Sequence, residues 1–260
     1  MIEKLARLGY AAKALIYAIV GTLAVAAALN RGGRVTDTSG ALRVILEHPA
    51  GRFLLVILGI GLLGYAAWRI LDAIGDPDGH GTDFKGLVTR IGNAVRAVIY
   101  GALGYEALKL FQGLGGSSPD EARMWTARIM DVPLGVWLVG LGGAIVAVYG
   151  VSEIISSFRG GYSRTLDLSP IPPRLRATAE GISRFGIGAR GVIIATLGYF
   201  LVQAALERDP SEAHGTRESI LEIVNVANGR WILAFIGAGL FAYAVDQAIH
   251  ARCRRIQNPL

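Results

Sequence analysis

Six stretches of about 20 largely apolar residues, at 10–29, 53–71, 94–111, 134–155, 188–206 and 231–249, dominate this chain of 260 residues. A helix rises ~1.5 Å per residue, so each stretch is long enough to cross a hydrocarbon layer of ~30 Å. Buried helices of a soluble protein usually keep a polar stripe; the second, fourth and sixth stretches have none over most of their length. Composition agrees: 52% of residues are hydrophobic and 18% are charged, against roughly 25% charged in an ordinary soluble domain. The single cysteine excludes a disulfide scaffold and a four-cysteine zinc site. Lys4 and Arg7 ahead of an apolar run imitate a secretory signal, but the run is long enough to span and recurs later, so it is read as a retained helix.

The stretches come in pairs, and the pair occurs three times. Arg7-Leu8-Gly9 aligns with Arg90-Ile91-Gly92 and Arg184-Phe185-Gly186; Lys13 then falls on Arg96 and Arg190, and Gly21 on Gly104 and Gly198. Tyr17 matches Tyr100, with Ile194 in the third copy. In the second member of each pair Gly51, Gly135 and Gly229 align, as do Phe53, Trp137 and Trp231, then Gly59, Gly143 and Gly237, and then Tyr65, Tyr149 and Tyr243. Pro49 and Pro133 match, with Ala227 in the third copy. The repeats span 6–74, 90–156 and 184–255, with linkers at 75–89 and 157–183, in one membrane domain.

A two-span repeat begins on the same side each time, so the repeats are parallel and imply a pseudo-symmetry axis along the membrane normal. The expected fold is an all-α integral membrane protein of six transmembrane helices: three parallel-repeat hairpins in a pseudo-three-fold arrangement, each hairpin connector carrying a short interfacial helix. The connector helices are read from apolar residues at helical spacing, Leu42, Ile45 and Leu46 in the first and Ile220, Ile223 and Val224 in the third. Ser39, Pro119-Asp120 and Thr216 are the expected helix starts. The linkers are marked by the turn-rich Asp76-Pro77-Asp78-Gly79-His80-Gly81 and by Pro170-Ile171-Pro172-Pro173.

The side on which the first helix of each repeat begins holds sixteen of the 26 lysines and arginines. The positive-inside rule places that side, with both termini, in the cytoplasm, and the protein in the cytoplasmic membrane. The net charge of +6 then marks orientation, and no nucleic-acid partner is expected.

These features resemble the bacterial domain-of-unknown-function 1206 family. The resemblance rests on three copies of a two-helix unit, each opening on R-x-G and closing on G-x-[FW] and a later tyrosine, and it covers 6–255; Ile194 and Ala227 are the departures. It implies a multi-spanning bacterial membrane protein without an assigned enzyme activity, and it carries over no catalytic residue.

Charges inside spans are costly and mark functional positions. The basic column Lys13, Arg96 and Arg190, with Arg7, Arg90 and Arg184 about six residues before it, forms a ring at the cytoplasmic surface. The ring is a candidate site for anionic lipid headgroups or another anion; alternatively its long side chains snorkel to the interface. Arg69, Glu153 and Asp246 lie at the same depth and suit ion pairing with that column. Glu106 is the deepest charge, with Lys109 one turn on; it is a candidate protonatable site, or it faces a partner subunit. Tyr65, Tyr149 and Tyr243 either bond neighbouring helices or line a central cavity. Trp68, Trp125, Trp137 and Trp231 are assigned to interfacial belts. His48, His80, His214 and His250 lie outside the span centres and share no metal-ligand spacing, so no metal or cofactor is expected. The G-x-G-x-x-G at 186–191 opens a membrane helix and follows no strand, so it carries no nucleotide-binding meaning.

No nucleophile elbow, zinc motif or phosphate loop is present, so no enzyme is expected. The abundant glycine, 35 residues, favours close helix association. The expected role is a structural or accessory subunit that binds other membrane proteins or lipid, anionic lipid included. The alternative is a small transporter or channel along the pseudo-three-fold axis.

Overall fold

Each apolar stretch is helical in a computed structural model, which describes residues 2–75, 81, 84–115, 121–159, 170–224 and 228–253. The helices are α1 (Ile2–Ala28), α2 (Thr38–Leu46), α3 (Gly51–Gly75), α4 (Phe84–Phe111), α5 (Glu121–Met130), α6 (Gly135–Arg159), α7 (Pro173–Glu207), α8 (Thr216–Val224) and α9 (Gly229–Cys253). No strand occurs among the described residues. The turn at 76–80, the helix start at Pro119-Asp120, Arg164, Ala227, Arg254 and Arg255, and the side chains of Lys85 and Ile223, lie outside the described residues.

Five helices, in α1, α3, α6, α7 and α9, are long and apolar enough to cross a membrane. The chain therefore has the build of a multi-pass membrane protein. The expected third span at 94–111 is helical but falls short of that measure, because it carries Arg96, Glu106 and Lys109.

Helices α4 and α7 begin within the linkers. Residues 84–89 and 173–183 are helical. Pro173 occupies the first position of α7, where a proline loses no intrahelical bond and its φ is already suited to a helix. In the first connector the helix starts one residue earlier than Ser39, because Asp37 is the cap and its side chain accepts from the Gly40 amide at 2.7 Å. The third connector carries a 3-10 turn, Pro210–Glu212, ahead of α8; Asp209 caps it, and the hydrogen bond from the Ser211 amide holds the Asp209 carboxyl below the usual carboxylate range.

The first helix of each repeat packs antiparallel on the second helix of the repeat before it, α4 on α3 and α7 on α6, and α1 packs likewise on α9, which brings the first and last helices together. These are the most extensive contacts in the molecule. Glycine makes them close. A side chain at Gly21 would lie 2.7 Å from the Gly237 carbonyl oxygen, at Gly104 3.1 Å from that of Gly59, and at Gly198 2.7 Å from that of Gly143. All six are repeat-column positions.

Two repeats also close on themselves, α1 on α3 and α7 on α9. The second repeat makes no comparable contact between α4 and α6 among the described residues. The bundle is therefore a row of helices in the order α4, α3, α1, α9, α7, α6, with a seam between its two ends. Its core is a continuous apolar cluster that includes Ile16, Val20, Leu55, Leu58, Leu62, Leu103, Ile236 and Leu240, and α2 adds Leu42 and Ile45 to it. Phe53, Trp137 and Trp231 face outward at the connector end, as an interfacial belt requires. Trp68 does not join that belt: it is buried, with the Arg69 guanidinium 4.4 Å from its ring.

Candidate functional site

The two basic columns go to different places. Arg7, Arg90 and Arg184 act at the ends of neighbouring helices. Arg90 donates to the Ala73 and Ile74 carbonyls at 2.7 and 2.9 Å, Arg184 to those of Ser157 and Phe158 at 2.6 and 2.5 Å, and Arg7 to those of Ala251 and Arg252 at 2.9 and 2.7 Å. Each guanidinium thus satisfies carbonyls that a helix C-terminus leaves without partners and lies at the negative end of the helix dipole. Each does so across the strongest packing contact of the bundle. Arg184→Ala should cost about 1.5–3 kcal/mol, the worth of hydrogen bonds to a charged group, read as a lowered unfolding midpoint in detergent, with partial recovery in Arg184→Lys.

Lys13, Arg96 and Arg190 turn inward. With Tyr65, Tyr149 and Tyr243 they line a cavity of about 290 Å³ at the end of the bundle where the chain begins and ends. Helical spacing explains the gathering. Tyr10 and Lys13 lie three residues apart on α1, and Tyr65 and Arg69 four apart on α3, so each pair shares one helix face. The same columns supply Arg96 and Tyr100 from α4, Tyr149, Glu153 and Ser156 from α6, Ile187 and Arg190 from α7, and Tyr243, Gln247 and His250 from α9.

One hydrogen-bonded chain crosses four helices. Asp72 accepts from Arg69 at 2.7 Å, and Arg69 donates to Asn93 at 3.1 Å. Asn93 also accepts from Arg96 at 2.9 Å, and Arg96 donates to the Tyr149 hydroxyl at 2.6 Å, across the α4–α6 seam. Tyr149 donates to Glu153 at 2.8 Å, and Glu153 pairs with Arg190 at 3.1 Å. Arg69 also donates to the hydroxyls of Tyr65 at 2.9 Å and Tyr10 at 3.2 Å, which ties α1 to α3.

Lys13 is held differently. Its ammonium is 4.7 Å from the Tyr65 ring centre and 4.6 Å from that of Tyr100, with Tyr10 and Tyr243 at 5.5 and 5.9 Å, and it donates to the Tyr65 hydroxyl at 3.4 Å. It is only 4% exposed. Snorkelling to the interface is therefore not what this lysine does. Among the described residues neither Lys13 nor Arg96 has a carboxylate partner; their hydrogen bonds go to Tyr65, Asn93 and Tyr149. Arg69 and Arg190 are matched by Asp72 and Glu153.

Asp246 lies on α9 beside this cavity, accepting from Gln247 at 2.7 Å and facing the His250 ring nitrogen at 3.5 Å. Glu106 is elsewhere: it accepts from Ser39 of α2 at 2.7 Å, at the connector end, and Lys109 lies over the Tyr105 ring. Asp72, Asn93, Tyr10, Tyr100 and Gln247 join the site without having been singled out in the sequence. Their signal was present: Asn93, Tyr10, Tyr100 and Gln247 each lie three or four residues from a member of the basic or tyrosine columns, and Asp72 lies three from Arg69.

The family model for a Domain of Unknown Function (DUF1206) matches this chain three times in tandem, at residues 8–76, 91–160 and 185–254. The chain belongs to this family. It is 34% identical over 244 residues to an uncharacterized protein YxxB of Bacillus subtilis (strain 168), covering 94% of this chain and 88% of that relative. No solved structure matches. Repeat-equivalent positions of all three DUF1206 units contribute to the one cavity, so the site is a product of the tandem array and of no single repeat.

Proposed function

We propose that this DUF1206 protein is an accessory protein of the bacterial cytoplasmic membrane that holds an anionic group in the cavity at the cytoplasmic end of its bundle. The observation that carries this reading is the pair of cations, Lys13 and Arg96, that face the cavity without a carboxylate partner among the described residues. Removing one ion from water costs several kcal/mol even after relaxation. Tyrosine faces and hydroxyls return part of that cost, roughly 0.5–2 kcal/mol for each well-placed ring; an anion between the two cations supplies the rest. The excess of basic residues at this end supports a cytoplasmic placement, with both termini inside.

In this reading α4 is the sixth span, and the three repeats surround a pseudo-three-fold axis. Support comes from the length of α4, 28 residues, and from its packing on α3 through Gly104 and Gly59. Its Arg96 turns to the cavity and its Glu106 to Ser39, so both charges have protein partners. Binding fits better than conduction, because apolar side chains such as Ile16, Leu62 and Leu240 fill the bundle on the connector side of the tyrosines.

Thermal unfolding of the purified protein in detergent tests the proposal. Inorganic phosphate, compared with chloride at equal ionic strength, is expected to stabilise the protein, by about 2.7 kcal/mol at a hundredfold excess over Kd. Lys13→Met and Arg96→Gln are each expected to abolish that difference. A wild-type protein indifferent to phosphate overturns the reading.

A further inference from the structure

The seam between α4 and α6 has a cause in the sequence. In the first and third repeats the two helices meet through small residues. A side chain at Gly9 would run into Tyr65, one at Gly61 would lie 3.0 Å from Leu8, and one at Gly239 would run into Ala189. At the positions equivalent to Gly61 and Gly239 the second repeat has Ile145, and at the position equivalent to Ala189, which faces Gly239, it has Val95. Two branched side chains replace the glycine and alanine, and the helices do not close. Gly92, the counterpart of Gly9 and Gly186, faces open space as a result.

Exposure records the same difference. Ile16 and Ile193 are 1% and 4% exposed, while their counterpart Ile99 is 56% exposed. On the facing helix, where the other repeats bury Leu58 and Ile236, the second repeat has Gly142, also with open space around it. Gly142 lies seven residues, two helical turns, from Tyr149 and so shares its face, the one that reaches Arg96.

The seam is therefore an apolar groove with a cationic head. It runs along 92–103 of α4, about 16 Å at the helical rise, close to the ~15 Å depth of one leaflet. Arg96 stands one turn in from its inner end and lines the cavity that holds Lys13. We propose that the seam and the cavity form one binding site for an anionic glycerophospholipid. The phosphate lies between Arg96 and Lys13, and one acyl chain lies in the groove between α4 and α6. This rests on the anion-binding reading above and adds the class of ligand and its lateral route from the bilayer. Charge complementarity selects the lipid: a wholly apolar occupant would leave Arg96 unmatched, and a soluble anion would leave the groove empty.

The full-length protein in mild detergent is incubated with dioleoylphosphatidylglycerol, with dioleoylphosphatidylcholine, or with inorganic phosphate, and examined by native mass spectrometry and thermal unfolding. One phosphatidylglycerol per chain should be retained at least about tenfold more tightly than phosphatidylcholine, a difference of ~1.4 kcal/mol. The double variant Val95→Ala with Ile145→Gly gives the second repeat the small residues of the other two; closing the seam should lower that retention about tenfold. Because such a variant can also fail to fold, phosphatidylglycerol carrying a photoreactive diazirine in its acyl chain is cross-linked to the wild-type protein. Label should fall on 92–103 and 142–149. Equal retention of the two lipids, retention unchanged in a folded double variant, label confined to other helices, or a second copy of the chain cross-linked across the seam each overturns the proposal. If phosphate stabilises the wild type while the lipid label misses the seam, the anion-binding reading stands and the lipid site falls. If neither probe binds, both fall.

Discussion

Asp72→Ala is expected to cost about 3–5 kcal/mol of stability, the penalty for leaving one member of a buried ion pair without the other. Asp72 is fully buried and Arg69 is 7% exposed. The carboxylate binds Arg69 through Oδ2 at 2.7 Å, and its Oδ1 has no partner among the described residues. Its contribution therefore acts through the arginine. Without it, Arg69 keeps only neutral partners, the hydroxyls of Tyr10 and Tyr65 and the amide oxygen of Asn93. Those partners sit on α1, α3 and α4, so the loss should appear as a global drop in unfolding midpoint and not as local fraying. The control is the double variant Asp72→Leu with Arg69→Met, which removes both charges and refills the volume. Replacing a buried pair by apolar groups of similar size is often neutral, so the double variant should recover most of the loss. A double variant as unstable as Asp72→Ala would show that Arg69 acts through its hydrogen bonds to the tyrosines and Asn93, with the ion pair contributing little.

Depth along a helix was easier to read from sequence than direction around it. Aligning the repeats placed Lys13, Arg96 and Arg190 at one level and the tyrosines Tyr65, Tyr149 and Tyr243 near it. It did not say which way they turned, because an outward snorkelling lysine and an inward caged one share the same sequence position. The three-or-four spacing of Tyr10 from Lys13, of Tyr65 from Arg69, and of Arg69 from Asp72 carries that information, since three polar or aromatic levels on one stripe of an apolar helix need one common polar environment. Asp246 stands one residue off the Arg69 and Glu153 level, and the true equivalent is Gln247, which donates to Asp246. The role of Arg7, Arg90 and Arg184 was hidden for another reason: the carbonyls they cap belong to the preceding repeat's second helix, and sequence alone does not say that each first helix packs there. The seam lay in plain view as Ile145 in place of Gly61 and Gly239. It becomes meaningful once the glycines are known to be the contact points between helices.

Alanine at the interrepeat glycines should produce a graded loss of stability, and leucine should prevent folding. The grading follows from what a new Cβ would meet. At Gly198 it would strike the Ala147 backbone, and at Gly21 it would lie 2.6 Å from the Phe241 amide nitrogen and 2.7 Å from the Gly237 oxygen. Backbone cannot rotate aside, so the helices themselves must separate. At Gly104 the nearest atoms all stand further off, at 3.1 Å, and one of them, the Leu63 Cγ, can give way with its side chain. Overpacking in a well-packed contact costs about 1–3 kcal/mol, so Gly198→Ala and Gly21→Ala should reach or exceed the upper part of that range and Gly104→Ala should lie near the bottom. Leucine at Gly198 or Gly21 should leave no monodisperse protein after detergent extraction. Gly21→Ala carries a further consequence, because α1 and α9 are not joined by a loop and depend on packing and on side-chain contacts such as the Arg7 cap. Loosening that contact lets the two ends of the chain part, while the α3–α4 and α6–α7 pairs keep their covalent links. Limited proteolysis should then release α1 from Gly21→Ala before any other helix, and intact α1 in a destabilised Gly21→Ala protein would mean that the bundle comes apart as a single cooperative unit.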